Sequence, residues 1–302
     1  MKERYRMSDS RTSFQVFLEE EINRCKGVYV PVKTGFPKRV FIRWTSCKKL
    51  HPNPEDEFCD PKIGPNYEVI SNYQHDIRVA KFHAQARLFN ERLVVEKARP
   101  DGYIIVNGHH RWAAAVRMDI RNVPIKVVNL TQASDIQKML QNAKHDRRVT
   151  LDLDEVVFVS GQDTAVEKAL PFPANRIYKE RLRLGIPALF RYFKTHGYDI
   201  WVYTARCDSM EYIQYLFKWY GVRLNNIITG TVRQSKASAE EWKRLEALFA
   251  NQYATTIHLD AKSLMRVTSG AKSYEEFALT GDPMTWSKEV MEITERFENH
   301  EG

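Results

Sequence analysis

Apolar and polar positions follow two different rhythms along this chain, and the change of rhythm marks its parts. Phe14, Phe17, Leu18 and Ile22 recur at helical spacing with glutamates between them, which predicts a short amphipathic helix in an N-terminal extension, residues 1–27. Residues 39–44 (RVFIRW) alternate as a strand does, and residues 49–66 are crowded with Pro, Asn, Asp and Gly, which predicts a loop. A helix over 76–89 follows, then strands over 93–97 and 103–106 joined by the turn Pro100-Asp101-Gly102. A helix opens at residues 107–109 and continues through Trp112, Ala113 and Val116, and a strand over 123–128 returns.

The polar stretch 141–148 (QNAKHDRR) predicts a boundary, giving one domain over 28–146 and another over 147–302. Beyond it strand and helix alternate: strands over 149–153, 200–204, 226–228 and 256–259, with helices over 187–195, 209–220 and 237–249. That alternation predicts a parallel sheet covered by helices on both faces. Two more helices are expected over 273–279 and 286–297. The fold class expected is therefore α/β in two domains, an α+β domain followed by a Rossmann-like one. The length of 302 residues suits two such cores.

Charge separates the halves. Residues 1–150 carry 27 Lys and Arg against 17 Asp and Glu, a net +10, whereas residues 151–302 carry 19 against 21, a net −2. A basic half attracts polyanions, so nucleotides or nucleic acid are its expected partners. No stretch approaches the ~18 uncharged apolar residues of a membrane span, and the opening MKERYRMSDSR has no apolar segment behind its charges. No membrane partner is expected. Cys25, Cys47, Cys59 and Cys207 lie far apart with no CxxC pair, which suits reduced thiols and a cytoplasmic location.

The second half carries the clearest chemistry. Residues 150–157 (TLDLDEVV) close a buried strand with Asp152 and Asp154 at i and i+2. Paired carboxylates at the carboxyl edge of a parallel sheet stand where such sheets bind ligands, and their oxygens suit a hard cation such as magnesium. Asp260 ends another strand and is the third metal candidate; Thr204 closes the strand 201–204 (WVYT). These strand ends resemble the haloacid dehalogenase (HAD) superfamily of phosphohydrolases over about residues 148–265, with Asp152-Leu153-Asp154-Glu155-Val156-Val157 fitting its first motif. The resemblance implies a nucleophile at Asp152 that forms an aspartyl-phosphate and a general acid/base at Asp154. It further implies phosphoryl contacts from Thr204, a stabilising lysine at Lys236 or else Lys243, and Mg2+ held by Asp152, Asp154 and Asp260. The family's fourth motif usually carries two acids, whereas Asp260 is followed by Ala261-Lys262-Ser263. The intervals from Asp154 to Trp201 and from Thr204 to Lys236 hold no large cap, which leaves the site open to a nucleic-acid end or another large phosphomonoester.

In the first half, residues 102–115 (GYIIVNGHHRWAAA) read as strand, glycine turn and helix start. A helix start offers unpaired N–H groups to an anion, and Gly108, His109, His110 and Arg111 are the candidate phosphate-binding residues. The stretch resembles the ParB/sulfiredoxin-like fold over roughly residues 38–130, and residues 123–128 (VPIKVV) supply its next strand. The His-His-Arg turn is similar to the form found in free-serine kinases and in nucleases of that fold, with Asn107 where those have aspartate. The resemblance implies ATP, ADP or CTP as a ligand, and Glu55 or Glu57 as an acid that activates a hydroxyl. Tyr67, Tyr73 and His75 are candidates to line the nucleotide pocket.

The leading expectation is a Mg2+-dependent phosphohydrolase coupled to a basic nucleotide-binding domain. One rival is a bifunctional kinase and phosphatase; another is a nucleic-acid-binding regulator or nuclease whose second domain does not catalyse.

Overall fold

The computed structural model describes residues 12–83, 89–159, 165–230, 236–270 and 274–299, with side chains for all of these except 236–242 and 299. The chain divides into two compact units, Met1–Asn129 and Leu130–Gly302.

The first unit opens with α1 (Ser13–Cys25), whose start is fixed by a reciprocal cap: Gln15 N–H donates to Thr12 Oγ1 at 3.3 Å and Thr12 N–H to Gln15 Oε1 at 2.6 Å. Leu18 is fully buried and Phe14, Phe17 and Ile22 pack against the same core, so α1 is part of this unit's core. There follow β1 (Val30–Pro31), α2 (Phe36–Phe41), β2 (Trp44–Ser46), β3 (Leu50–His51), α3 (Tyr67–Phe82), β4 (Leu93–Arg99), β5 (Tyr103–Asn107), α4 (His109–Arg117) and β6 (Asn122–Val127). The strands form a mixed sheet in the order β2-β6-β4-β5-β3, with β1 also pairing β4. Ala113, Ala114 and Ala115 of α4 are fully buried, and their small side chains allow the helix to lie close to the rest of the core.

Two expectations fail here for local reasons. Residues 36–41 are the helix α2, with Pro37 in its first turn; Val40 and Phe41 are exposed, so the alternation over 39–44 marks no buried strand face. The helix expected over 76–89 is α3, starting at Tyr67, because the Asn66 side chain accepts from Glu68 N–H and Val69 N–H. Residues 84–88 lie outside the described residues.

The second unit comprises α5 (Ala133–Gln141), β7 (Arg147–Asp152), a π-helical turn (Leu153–Val157), α6 (Ala174–Ile177), α7 (Ile186–Thr195), β8 (Tyr198–Thr204), α8 (Met210–Trp219), β9 (Asn226–Thr229), α9 (Lys236–Gln252), β10 (Thr255–Leu259), β11 (Ser263–Thr268), β12 (Tyr274–Ala278) and α10 (Trp286–Asn299). Its sheet runs β12-β11-β10-β7-β8-β9; β10, β7, β8 and β9 are parallel, and β11 and β12 are antiparallel additions. Val149, Leu151, Val202 and Ile257 on one face share a core with Phe190 and Phe193 of α7, Leu216 and Phe217 of α8, and Trp286 and Val290 of α10. On the other face Trp201 and Ile228 pack with Ile136 and Leu140 of α5 and with Leu245, Phe249 and Tyr253.

That second cluster explains why the division falls after Asn129 rather than at 146. The apolar side of α5 is buried in the second unit, so the polar stretch 141–148 is a turn into β7 and not a linker. The segment 274–278 expected in a helix is the edge strand β12, where pairing with β11 and an Arg266–Glu275 ion pair at 3.6 Å override helical propensity. None of the four cysteines forms a disulfide, and burial pushes the thiols of Cys25 and Cys47 up to about 11 and that of Cys59 up to about 12, which keeps them protonated.

Candidate functional site

The strand β7 is central in the second unit's sheet, with β8 on one side and β10 on the other. The chain moves outward from β7 through β8 to β9 and then crosses back to β10, so β7 and β10 flank the point where strand order reverses. Ligands of open α/β sheets bind at the carboxyl edge of such a point. Asp152 ends β7 there, and Asp260 directly follows β10.

Asp152 caps the π-helical turn: its Oδ1 accepts from Asp154 N–H at 2.6 Å and Glu155 N–H at 3.1 Å. No hydrogen bond among the described residues reaches its Oδ2. The turn carries Asp154 round to the end of β8, where Asp154 Oδ2 accepts from Thr204 Oγ1 at 2.7 Å and Ala205 N–H at 3.1 Å. Arg206 Nε stands 2.5 Å from Asp154 Oδ1, a charge contact without hydrogen-bond alignment. The guanidinium also lies 3.8 Å from Glu180 and over the Phe158 ring, and Glu180 in turn accepts from the Tyr212 hydroxyl. Burial beside that carboxylate raises the Tyr212 phenol above its ordinary range, so it stays a donor.

Thr204 was expected to hold phosphoryl oxygens. Its side chain is instead fully buried, donating to Asp154 and accepting from Arg206 N–H at 3.1 Å, so it positions the second aspartate. Asp152 and Asp260 line one cavity of about 380 Å³, together with Tyr203, His258, Ser263 and Glu276. Lys236 opens α9, but its side chain lies outside the described residues; Lys243 is exposed about 10 Å further along that helix. Among the described residues no group of three or more His, Cys, Asp and Glu side chains is arranged to hold a metal. What the edge offers is two carboxylates, at Asp152 and Asp260. That all-oxygen set fits magnesium, which is held by one or two carboxylates and keeps several waters. The Asp154 carboxylate, included as a ligand from sequence, is taken up by Thr204, Ala205 and Arg206.

The first unit's candidate residues are used differently from expectation. Gly108 begins α4 at φ +106°, a backbone that favours glycine, and among the described residues no side chain hydrogen-bonds to the helix start as a cap. The side chains beside it brace loops. His109 is buried, with Nε2 accepting from Asn53 N–H at 3.1 Å and Nδ1 3.4 Å from Asp56. The Nε2 of His110 accepts from Asn66 N–H at 3.1 Å, and burial lowers this imidazole's pKa, which keeps it neutral. Arg111 is buried and donates to Glu91 at 3.0 Å and to Asn107 Oδ1 at 3.4 Å. The acceptor role leaves each ring's Nε2 without a proton and puts the neutral ring's proton on Nδ1, which in His109 faces Asp56. Glu55 and Glu57 are exposed on the loop, while Asp56 between them faces His109. Tyr73 lines a cavity of about 230 Å³ with Asp76, Glu91 and Arg111; Tyr67 packs on the core and His75 is exposed.

Sequence reasoning missed Arg206 and Glu180. The signal for Arg206 was present in Thr204-Ala205-Arg206, a cation two residues beyond a strand that ends at the sheet's carboxyl edge. Glu180 comes from an irregular segment and carried no such signal.

Residues 90–143 match the ParB N-terminal domain family, a stretch from the start of β4 past the end of α5. Among solved structures, the chain is similar to the C-terminally truncated chromosome-partitioning protein ParB from Caulobacter crescentus complexed with CTP-gamma-S, at 24% identity, a TM-score of 0.24, and coverage of 34% of this chain and 55% of that one. The chain thus spans about half of that protein's length. No curated protein matches the chain. No helix among the described residues is long and apolar enough to cross a membrane.

Proposed function

We propose that the second unit is a phosphohydrolase of the HAD type that works through an aspartyl-phosphate on Asp152, and that the ParB-like region of the chain binds a nucleotide. The observation that carries the first part is the pair of aspartates at the switch point. Asp152 has one carboxylate oxygen without a hydrogen bond among the described residues, while Asp154 is held by three groups from the end of β8. Two acids two residues apart thereby have different surroundings, which is what separate nucleophile and acid/base roles require.

In this reading Asp152 Oδ2 attacks phosphorus, and the bond from phosphorus to the leaving oxygen breaks as that oxygen takes a proton from protonated Asp154. A water then attacks the phosphorus of the acyl phosphate and gives a proton back to Asp154. The bond between phosphorus and Asp152 breaks, and inorganic phosphate leaves. Thr204 and Ala205 N–H keep Asp154 at the end of β8 throughout. Magnesium, bound by Asp152 and Asp260, would neutralise charge on the phosphoryl oxygens. Arg206 and Lys236 are the cations from this unit assigned to the same task.

For the first unit the reading rests on the family match over 90–143 and on the uncapped start of α4. The backbone N–H groups after Gly108 supply the phosphate contacts, with ATP, ADP or CTP as candidates. The braced histidines favour a binding role over kinase or nuclease chemistry, because their Nε2 atoms are spent on the loops.

The test is phosphate release from p-nitrophenyl phosphate with and without magnesium. Activity should vanish with EDTA, return with magnesium, and be lost in Asp152→Asn. Full turnover in metal-free buffer or in Asp152→Asn would refute the assignment.

A further inference from the structure

Alternation along β7 puts Arg148, Thr150 and Asp152 on one face of the sheet, and their partners on β10 are Thr256 opposite Arg148 and His258 opposite Thr150. Tyr203 pairs with Asp152 from β8. A second cavity, of about 390 Å³, opens on this face and is lined by Arg148, Glu246, Phe249, Tyr253 and Thr256 among others. Tyr203 and His258 line both this cavity and the one holding Asp152 and Asp260. The two are therefore neighbouring parts of one groove that follows β7 from its acidic end back to Arg148, a run of about 13 Å between those two residues' Cα atoms.

Among the described residues the guanidinium in this groove is held by neutral groups. Arg148 Nε donates to Thr256 Oγ1 at 2.9 Å, and the guanidinium lies 4.3 Å from the Phe249 ring centre and 5.2 Å from that of Tyr253. Its Nη1 is buried and has no hydrogen-bond partner among the described residues. Glu246 lines the same cavity, but no ion pair to Arg148 forms. A half-buried guanidinium stacked on Phe249 and Tyr253 with no carboxylate partner among the described residues carries an uncompensated charge beside the groove. Beside it His258 donates to or accepts from Thr150 Oγ1 at 2.8 Å. With Nε on Thr256 and Nη1 buried, Nη2 is the guanidinium nitrogen left for an anion in the groove, and a charged N–H donor there is suited to a phosphate.

We propose that Arg148 forms a second anion subsite, so that the substrate is a nucleotide phosphomonoester bearing a further phosphate, with the reacting phosphoryl group at Asp152 and the other at Arg148. This rests on the phosphohydrolase reading of Asp152. The same chemistry is found in a free nucleoside bisphosphate and in the phosphorylated end of a nucleic-acid strand.

The test compares kcat/KM for p-nitrophenyl phosphate, adenosine 5′-monophosphate, adenosine 3′,5′-bisphosphate and a 3′-phosphorylated thymidine dinucleotide. Wild-type protein should prefer at least one of the last two over the monophosphate by tenfold or more, mainly through KM. Arg148→Gln should abolish that preference while leaving p-nitrophenyl phosphate within twofold, and Arg148→Lys should restore part of it. Which of the two doubly charged substrates leads distinguishes the free nucleotide from the strand end. The absence of any preference in wild type, or an equal loss on every substrate in a folded Arg148→Gln, would overturn the proposal; the wild-type comparison decides the matter if that variant does not fold. Should wild type hydrolyse none of these, the reading of Asp152 falls. Calorimetric titration with adenosine 3′,5′-bisphosphate then judges the subsite alone: binding that Arg148→Gln removes supports it, and no binding to wild type overturns it.

Discussion

Replacing Thr204 by Val removes one hydroxyl and keeps the side chain's shape, so the outcome isolates the hydrogen bonds at the end of β8. In the folded protein Thr204 Oγ1 donates to Asp154 Oδ2 at 2.7 Å and accepts from Arg206 N–H at 3.1 Å, and the residue is fully buried. Loss of a hydrogen bond to a charged group costs roughly 1.5–3 kcal/mol, and water cannot easily replace the hydroxyl at a fully buried position. Asp154 Oδ2 keeps Ala205 N–H at 3.1 Å, which offsets part of the loss, whereas Arg206 N–H loses its partner. A net destabilisation of about 2–3 kcal/mol is expected. For a unit the size of residues 130–302, about 2–4 °C of melting temperature goes with each kcal/mol, so the melting temperature should fall by roughly 4–12 °C. Differential scanning calorimetry of the full chain measures this, with Thr204→Ser, which retains the hydroxyl, losing much less. A Thr204→Val protein that melts within 1 °C of wild type would refute the claim that this hydroxyl holds Asp154 in place.

Other outcomes follow from the same geometry. His109→Ala should cost roughly 2–4 kcal/mol by removing a buried ring and the acceptor for Asn53 N–H; amide exchange at Asn53 should quicken, and unchanged exchange would contradict the bracing role. Burial lowers the pKa of His51, His110 and His258, so between their folded values and the ordinary value of about 6.5 the unfolded chain binds more protons. Their contribution is therefore present above about pH 6.5 and is lost as pH falls through the folded values; urea midpoints that rise on acidification through that interval would contradict it. Gly102 sits at φ +68°, and an added Cβ would clash with the His51 ring and the Lys49 carbonyl oxygen, so Gly102→Ala should destabilise the β4–β5 turn by more than about 2 kcal/mol, read as a drop in urea midpoint.

How far the fold was legible depended on whether its cause was local. The buried run ending in Asp152 and Asp154 announced β7, because carboxylates seldom end such a run without a task, and Thr204 was legible as the end of β8. The use of His109 and His110 was not legible, because their partners Asn53 and Asn66 come from a loop more than forty residues earlier. The polar stretch 141–148 looked like a linker because Ile136 and Leu140 find their cover only in tertiary structure, against Trp201 and Phe249. The segment 274–278 carries glutamates and an alanine that suit a helix, and only β11 makes it a strand. Arg148 drew no notice in a run of basic residues, since its significance lies in Thr256, Phe249 and Tyr253 from distant positions.

The most direct measurement of the central claim is chemical trapping of the reaction on Asp152. The protein is mixed with magnesium and a 32P-labelled phosphomonoester that it hydrolyses, quenched in acid within the first turnover, and digested for peptide mapping. The account predicts label on the peptide containing Asp152, released by hydroxylamine as an acyl phosphate is, and absent from Asp152→Asn. Turnover with no label on that peptide at any quench time, or with equal label in Asp152→Asn, would contradict it.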